Sequence, residues 1–325
     1  MRNFRIAIRS FGLVTVFIRF SRVVLGSALG LALALTVSPA EACSICRCGD
    51  ATFNALGKDV TSEPGFRFAF DIDRFSKTQG PPEEQDSIVE DRYTAVGAYT
   101  LGTRALLVAR VPFAQRTLDE RVGDEVEHSE ASGLGDPELS AQIRLWSSPL
   151  NGDLGRRLSF SATAGVKTNW GENDIEKDGE RLDEHVQPGT GSTDPFFGVS
   201  GYYLLNTKSS LFASVQRRLP GANDFGYQYG DISLLNFAYE RKLSANLDSV
   251  LELNYRHAGR DQIDGSGEHD PNTGGSILYL TPRVLVNVGG VVVRFAAQIP
   301  VSESLYGVQN EKPVYNIGFT RSFGK

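Results

Sequence analysis

From residue 65 onward, apolar and polar side chains alternate with a period of two. In "GFRFAFDID", Phe66, Phe68, Phe70 and Ile72 stand against Arg67, Ala69, Asp71 and Asp73, the pattern of a strand with one apolar face. "PELSAQIRLW" sets Leu139, Ala141, Ile143 and Leu145 against Ser140, Gln142 and Arg144. "RLSFSATAGVK" sets Leu158, Phe160, Ala162, Ala164 and Val166 against Ser159, Ser161, Thr163 and Lys167, and in "GVVVRFAAQIPV" Val293, Phe295, Ala297 and Ile299 alternate with Arg294 and Gln298. Twelve such segments begin near residues 65, 91, 104, 135, 157, 195, 209, 230, 247, 276, 290 and 313. Each is about ten residues or slightly longer, which is what a tilted strand needs to cross a bilayer.

The links between them alternate in length. Short ones occupy 101–104, 148–156, 206–209, 244–247 and 288–290; long polar ones occupy 76–91, 116–132, 171–193, 220–229, 259–275 and 302–312. Five short and six long links predict an all-β, antiparallel transmembrane β-barrel of about 12 strands, with short periplasmic turns and long external loops in the outer membrane of a Gram-negative bacterium. A soluble β-sandwich shares the period of two but has no reason to alternate its loop lengths. The last segment, "VYNIGFTRSFGK", puts Tyr315, Ile317, Phe319 and Phe323 on one face, and resembles the aromatic-ended final strand read by outer-membrane assembly machinery.

Ahead of the barrel, five arginines precede the apolar run "VVLGSALGLALALTV" and the small-residue stretch "SPAEA", the order of a secretory signal peptide cleaved after Ala42. The run is shorter than the ~20 apolar residues that span a bilayer. The predicted organisation is a signal peptide over 1–42, a short periplasmic segment over 43–63 and the barrel over 64–325. Without residues 1–42 the chain keeps 28 basic and 38 acidic side chains, a balance that argues against a nucleic-acid partner. All the cysteines fall in "CSICRC" at the new N-terminus. Cys43, Cys46 and Cys48 either form a periplasmic disulfide with one thiol left over, bind Cu(I) or Zn²⁺ as soft ligands, or link to a periplasmic protein. A c-type haem is excluded, since its C-x-x-C-H motif is missing.

With the apolar parity facing lipid, the other parity fills the lumen. That set contains Arg67, Asp71, Asp73, Arg110, Gln142, Arg144, Lys167, Gln216, Arg218, Glu240, Glu252, Asn254, Arg256, Arg283, Arg294, Gln298 and Asn316. These charges either line an aqueous path or pair across the barrel and fill it. Four of the long links hold 22 acidic residues against six basic ones, with His128, His185, His257 and His269 in or beside them. The simplest reading is a solvated outer surface bridged to lipopolysaccharide by divalent cations. The sharper one, a metal site, lacks H-x-x-x-H or EF-hand spacing.

The motifs "GLGDPELSAQIRL", "HVQPGTGSTDPFFG", "GANDFGYQYGD", "TGGSILYLTPRV" and "AQIPV" occur in this order between residues 133 and 301. They resemble the outer-membrane family named after the meta-pathway of phenol degradation. The resemblance implies a β-barrel through which small organic molecules, aromatic or otherwise hydrophobic, cross the outer membrane by passive or facilitated transport. The glycines of "GTGS" and "NDFGYQYGD" supply backbone freedom where loops descend into the barrel rim. Two other readings compete: an anchor whose thiols dock metal or a periplasmic partner, and an outer-membrane lipid hydrolase using His128 or His257. The hydrolase reading lacks a recognisable nucleophile and orienting partner, so no catalytic residue is expected.

Overall fold

The computed structural model describes residues 65–123, 125–148, 157–263 and 267–324. The signal-peptide boundary at residue 42 and the thiols of Cys43, Cys46 and Cys48 lie outside the described residues. The strands are β1 (Gly65–Gln79), β2 (Asp86–Leu101), β3 (Ala105–Val122), β4 (Glu125–Leu134), β5 (Glu138–Ser147), β6 (Arg157–Lys167), β7 (Glu176–Lys177), β8 (Glu180–Arg181) and β9 (Asp194–Asn206). The second half adds β10 (Ser209–Arg218), β11 (Ile232–Lys242), β12 (Leu247–Ala258), β13 (Gln262–Ile263), β14 (Glu268–His269), β15 (Gly275–Val288), β16 (Val291–Leu305), β17 (Gln309–Glu311) and β18 (Val314–Phe323).

Twelve of these form the wall, each antiparallel to the next in the order β1, β2, β3, β5, β6, β9, β10, β11, β12, β15, β16 and β18. β18 returns to β1 with Phe66 opposite Phe323 and Arg74 opposite Tyr315, so the sheet closes and no strand edge is left open along the wall. The observed strand starts lie within three residues of those read from the alternation, except that β2 begins at Asp86.

One parity of the wall is exposed and apolar: Phe66, Phe68, Leu107, Val111, Leu139, Ile143, Phe197, Val199, Leu235, Phe237, Leu251, Leu253, Phe295 and Phe319 all point outward. Leaving such a belt in water costs about 25 cal/mol per Å² of apolar surface, so its solvent is lipid. Aromatic pairs sit near the short-turn end, Phe66 against Phe323 with centroids 6.2 Å apart and Trp146 stacked on Phe160 at 6.0 Å, as expected at a membrane interface. On the long-link side the belt ends abruptly. Arg74 of β1 and Asp91 of β2 form an outward ion pair at 2.7 Å, which marks where lipid gives way to water.

The segments 76–91 and 116–132, expected to be loops, are mostly strand. β1 runs on to Gln79, β2 starts at Asp86, and β3 continues to Val122 before β4 folds back along it. The cause lies on the inner face, where every second side chain stays buried, apolar ones (Phe75, Ile88, Leu118, Ala131) alternating with polar ones (Lys77, Glu90, Arg116, Ser129). Beyond the membrane the outward parity turns polar too, and the lost contrast between the two faces hid the strands in the sequence.

Candidate functional site: the lumen and its plug

The sequence-predicted lumen residues lie on the parity opposite the lipid belt, and most are tied to a neighbour. Arg294 pairs with Asp71 although β18 runs between their strands. The pair passes over Gly318, where an added Cβ would lie 2.3 Å from both partners, so the glycine is what lets the guanidinium cross. Arg283 reaches Glu252 at 3.0 Å. Asn254 accepts from the Thr281 hydroxyl at 2.7 Å and donates to Asn236 at 3.2 Å. Arg256 and the Tyr279 hydroxyl both bind Glu311. Arg67 donates to Thr100 at 3.5 Å, Arg144 to the Thr103 carbonyl at 2.8 Å, Gln142 to Ser200 at 3.2 Å and Asn316 to Asp73 at 2.9 Å, while Glu240 accepts from Ser210 at 2.9 Å. Gln298 is buried and Gln216 lines a lumen cavity.

On the far side of the lumen, Arg110, Glu138, Lys167 and Asp194 are successive cross-strand partners on β3, β5, β6 and β9. Arg218 of β10 takes Glu138 at 2.5 Å, and Lys167 lies 2.9 Å from Asp136 and 3.2 Å from Asp194. Opposite charges in one row satisfy each other where the wall excludes water. Of the two courses open to the sequence-predicted charges, pairing therefore predominates over an open row of free ones.

The long link between β6 and β9 turns inward and plugs the end of the lumen on the long-link side. Lys167 donates to Thr190 and to the Ser192 carbonyl at 2.8 Å, while the Thr190 amide donates to Asp136 at 2.7 Å. Arg116 of β3, itself 2.7 Å from Glu90, donates to the Gln187 carbonyl. Gly191 has φ +68°, and a Cβ there would sit 1.7 Å from the Asn173 amide, so the turn needs glycine for both backbone and space. Val186 then packs with Ile88, Leu118, Leu182, Tyr227 and Tyr229 in a buried apolar cluster.

A polar chain crosses this cluster. Asp183 contacts His185 Nδ1 at 2.7 Å, His185 Nε2 lies 3.3 Å from the Tyr227 hydroxyl, and that hydroxyl donates to Asp261 at 2.6 Å. It joins three external links: 171–193, 220–229 and 259–275. Burial alone lowers the His185 pKa, but the Asp183 carboxylate outweighs it, with help from their hydrogen bond and from Asp261, and the net shift is upward. Burial likewise opposes ionisation of Asp183, yet His185 and Arg181 hold its pKa down at about 2.

Sequence reasoning missed Glu90, Arg92, Arg116, Asp136, Glu138, Asp194 and Glu311. Glu90, Arg116 and Glu311 sat in presumed loops, although Ile88, Glu90 and Arg92 share a parity that continues inward. Of the histidines, only His185 joins the plug. His128 pairs with Asp119 at 2.7 Å on the exposed β3–β4 hairpin, and His257 Nδ1 lies 2.8 Å from Ser276 Oγ. Among the described residues, no three His, Cys, Asp or Glu side chains converge to hold a metal ion.

Residues 83–297 match the model of the family described as "Putative MetA-pathway of phenol degradation". The chain belongs to this family. No curated protein sequence matches it. An outer-membrane channel from Pseudomonas putida F1 superposes with a TM-score of 0.62 at 12% identity, covering 82% of this chain and 100% of that one, and so shares the fold. The transport unit of the autotransporter AIDA-I from Escherichia coli gives 0.47 at 11% identity, covering 83% and 94%. The translocator domain of the autotransporter NalP from Neisseria meningitidis gives 0.44 at 13%, covering 83% and 91%. Closure and the apolar belt place the protein in the outer membrane of a Gram-negative bacterium.

Proposed function

We propose that the protein is a passive channel for small organic molecules across the outer membrane. The observation that carries this reading is a cavity of about 130 Å³ inside the lumen, lined by Arg110, Gln216, Phe196 and Phe212 among others. It lies beside the charged row that anchors the plug. A wall whose charges are mostly paired presents a weak net field to a solute, and the plug, held by polar side chains rather than by covalent bonds, is an element that can yield. Reconstituted into planar bilayers, the protein should give a steady conductance, and deletion of 182–190 should raise it. Absence of both conductance and solute uptake into liposomes would leave an anchor or docking protein instead. Hydrolysis of a lipid ester by the purified protein, abolished by His257→Ala or Ser276→Ala, would establish an enzyme on the outer face.

A further inference from the structure

The lining of the lumen cavity holds two guanidiniums and one carboxylate next to aromatic carbon. Arg110 and Arg218 both face it, with Glu138 as the acid between them. Glu138 is committed to Arg218 at 2.5 Å. The Arg110 side chain, on the neighbouring strand, is attracted by the same carboxylate but makes no hydrogen bond or ion pair with a described residue. The guanidinium of Arg218 also lies 4.9 Å from the centre of the Phe196 ring, a cation–π contact that fixes that ring in the wall. Phe212 and Leu234 supply further apolar surface, and Gln216 further hydrogen-bonding capacity.

We propose that this cavity is a binding site for a single-ring aromatic monoanion, a carboxylate or a phenolate, with the ring against Phe196, Phe212 and Leu234 and the anionic group on Arg110. Size, charge and surface each support the class. A volume of about 130 Å³ is close to that of an engineered apolar cavity, about 150 Å³, which accommodates benzene. With Glu138 bonded to Arg218, Arg110 is one cation without a bonded acid, which suits a single negative charge, since a neutral guest leaves Arg110 desolvated and a dianion leaves a carboxylate unmatched. Phenylalanine rings reward a flat apolar guest in offset or edge-on contact, whereas an aliphatic or inorganic anion satisfies Arg110 alone. The guanidinium adds directionality, because it meets a carboxylate through two parallel hydrogen bonds.

The inference rests on the channel reading, whose own test is conductance and uptake. Here the measurement is equilibrium binding to the full-length protein in detergent micelles, by calorimetry, with benzoate, acetate and benzyl alcohol as probes. Benzoate should bind at least tenfold more tightly than either of the others. Arg110→Gln should weaken benzoate about tenfold or more, as loss of a charge-assisted hydrogen bond implies, while leaving benzyl alcohol unchanged. Phe212→Ala should weaken benzoate and leave acetate unchanged. Heat-modifiable migration of each variant verifies that its barrel has assembled. Acetate binding as tightly as benzoate would reduce the site to a bare anion contact and overturn the proposal, as would benzoate binding that is indifferent to Arg110→Gln in an assembled barrel. Uptake of neutral solutes with no benzoate binding would sink this inference while sparing the channel. Benzoate binding without conductance or uptake would do the reverse.

Discussion

At the level of single residues, the wall depends on charges that have no good alternative partner. Arg294 is buried at 3% and Asp71 at 11% exposure, and Gly318 of β18 lies between the two residues. Removing one member strands the other, a loss that reaches about 3–5 kcal/mol for fully buried pairs and falls where lumen water intrudes. Asp71→Ala should therefore lower the urea midpoint more than the double variant Asp71→Ala/Arg294→Met does. Strictly additive effects would show that the two are not coupled. His185 gives the plug a pH dependence of definite sign. Asp183, Asp261 and the Tyr227 hydroxyl face the ring, and Lys77 opposes its charge. A raised pKa means that the folded plug holds the proton more tightly than the unfolded chain, so this stabilisation is complete below about pH 6.5 and is lost as pH rises through the higher folded value. The depressed Asp183 acts at the other end, contributing above about pH 4 and failing as pH falls toward about 2. Conductance should thus increase as pH is raised above about 6.5, and His185→Gln should abolish that rise. A rise unaltered in His185→Gln would assign the titration elsewhere.

At the level of strands, the two faces differ sharply in what they tolerate. Phe295 of β16 is half exposed and stands opposite Ile317 of β18 and Val284 of β15, both on the lipid side. Arginine there should cost ~2–4 kcal/mol of barrel stability if the site is near mid-membrane, read from the urea midpoint in lipid vesicles. Phe295→Leu should be nearly neutral, and equal midpoints for Arg and Leu would mean that the faces are reversed. These strands were legible in the sequence because each parity has its own solvent, so Phe66, Phe68 and Ile72 announce lipid as plainly as Arg67, Asp71 and Asp73 announce the lumen. Beyond Arg74 that contrast disappears. The outward side chains turn polar while Phe75 and Ile88 still pack inward, and a strand then reads as a loop. The plug was less legible still. Lys167 was visible as an inward charge, but its partners Asp136, Thr190 and Asp194 are brought together only by pairing across β5, β6 and β9. The glycines of "GTGS" were the local hint, since Gly191 requires a left-handed backbone that few other residues adopt.

For the molecule as a whole, the question is which end faces outward, and the lysines provide the test. Links on one side are two to four residues long where described, such as 207–208 and 289–290, whereas the other side carries the plug, the β3–β4 hairpin and the short β7–β8 and β13–β14 hairpins. Barrels of this class keep short turns in the periplasm, and the outward ion pair of Arg74 and Asp91 ends the belt on the elaborate side. Lys177 and Lys312 are exposed on that side; Lys208 and Lys242 are exposed on the short-turn side; Lys77 and Lys167 are buried. A lysine-specific protease added to intact cells should therefore cut after Lys177 or Lys312 and leave Lys208 and Lys242 whole. Permeabilising the outer membrane should then open the second pair, while Lys77 and Lys167 should stay protected as long as the barrel is folded. Arg181 ties the base of the β7–β8 hairpin to Asn173, Glu184 and Phe225, but residues 176–180 are exposed throughout and Lys177 is held there by its bond to the His128 carbonyl, 2.7 Å long, so Lys177 should be the faster of the outer sites. Cleavage after Lys208 or Lys242 in sealed cells would invert the barrel, placing the plug and its pH-sensitive histidine at the periplasmic mouth.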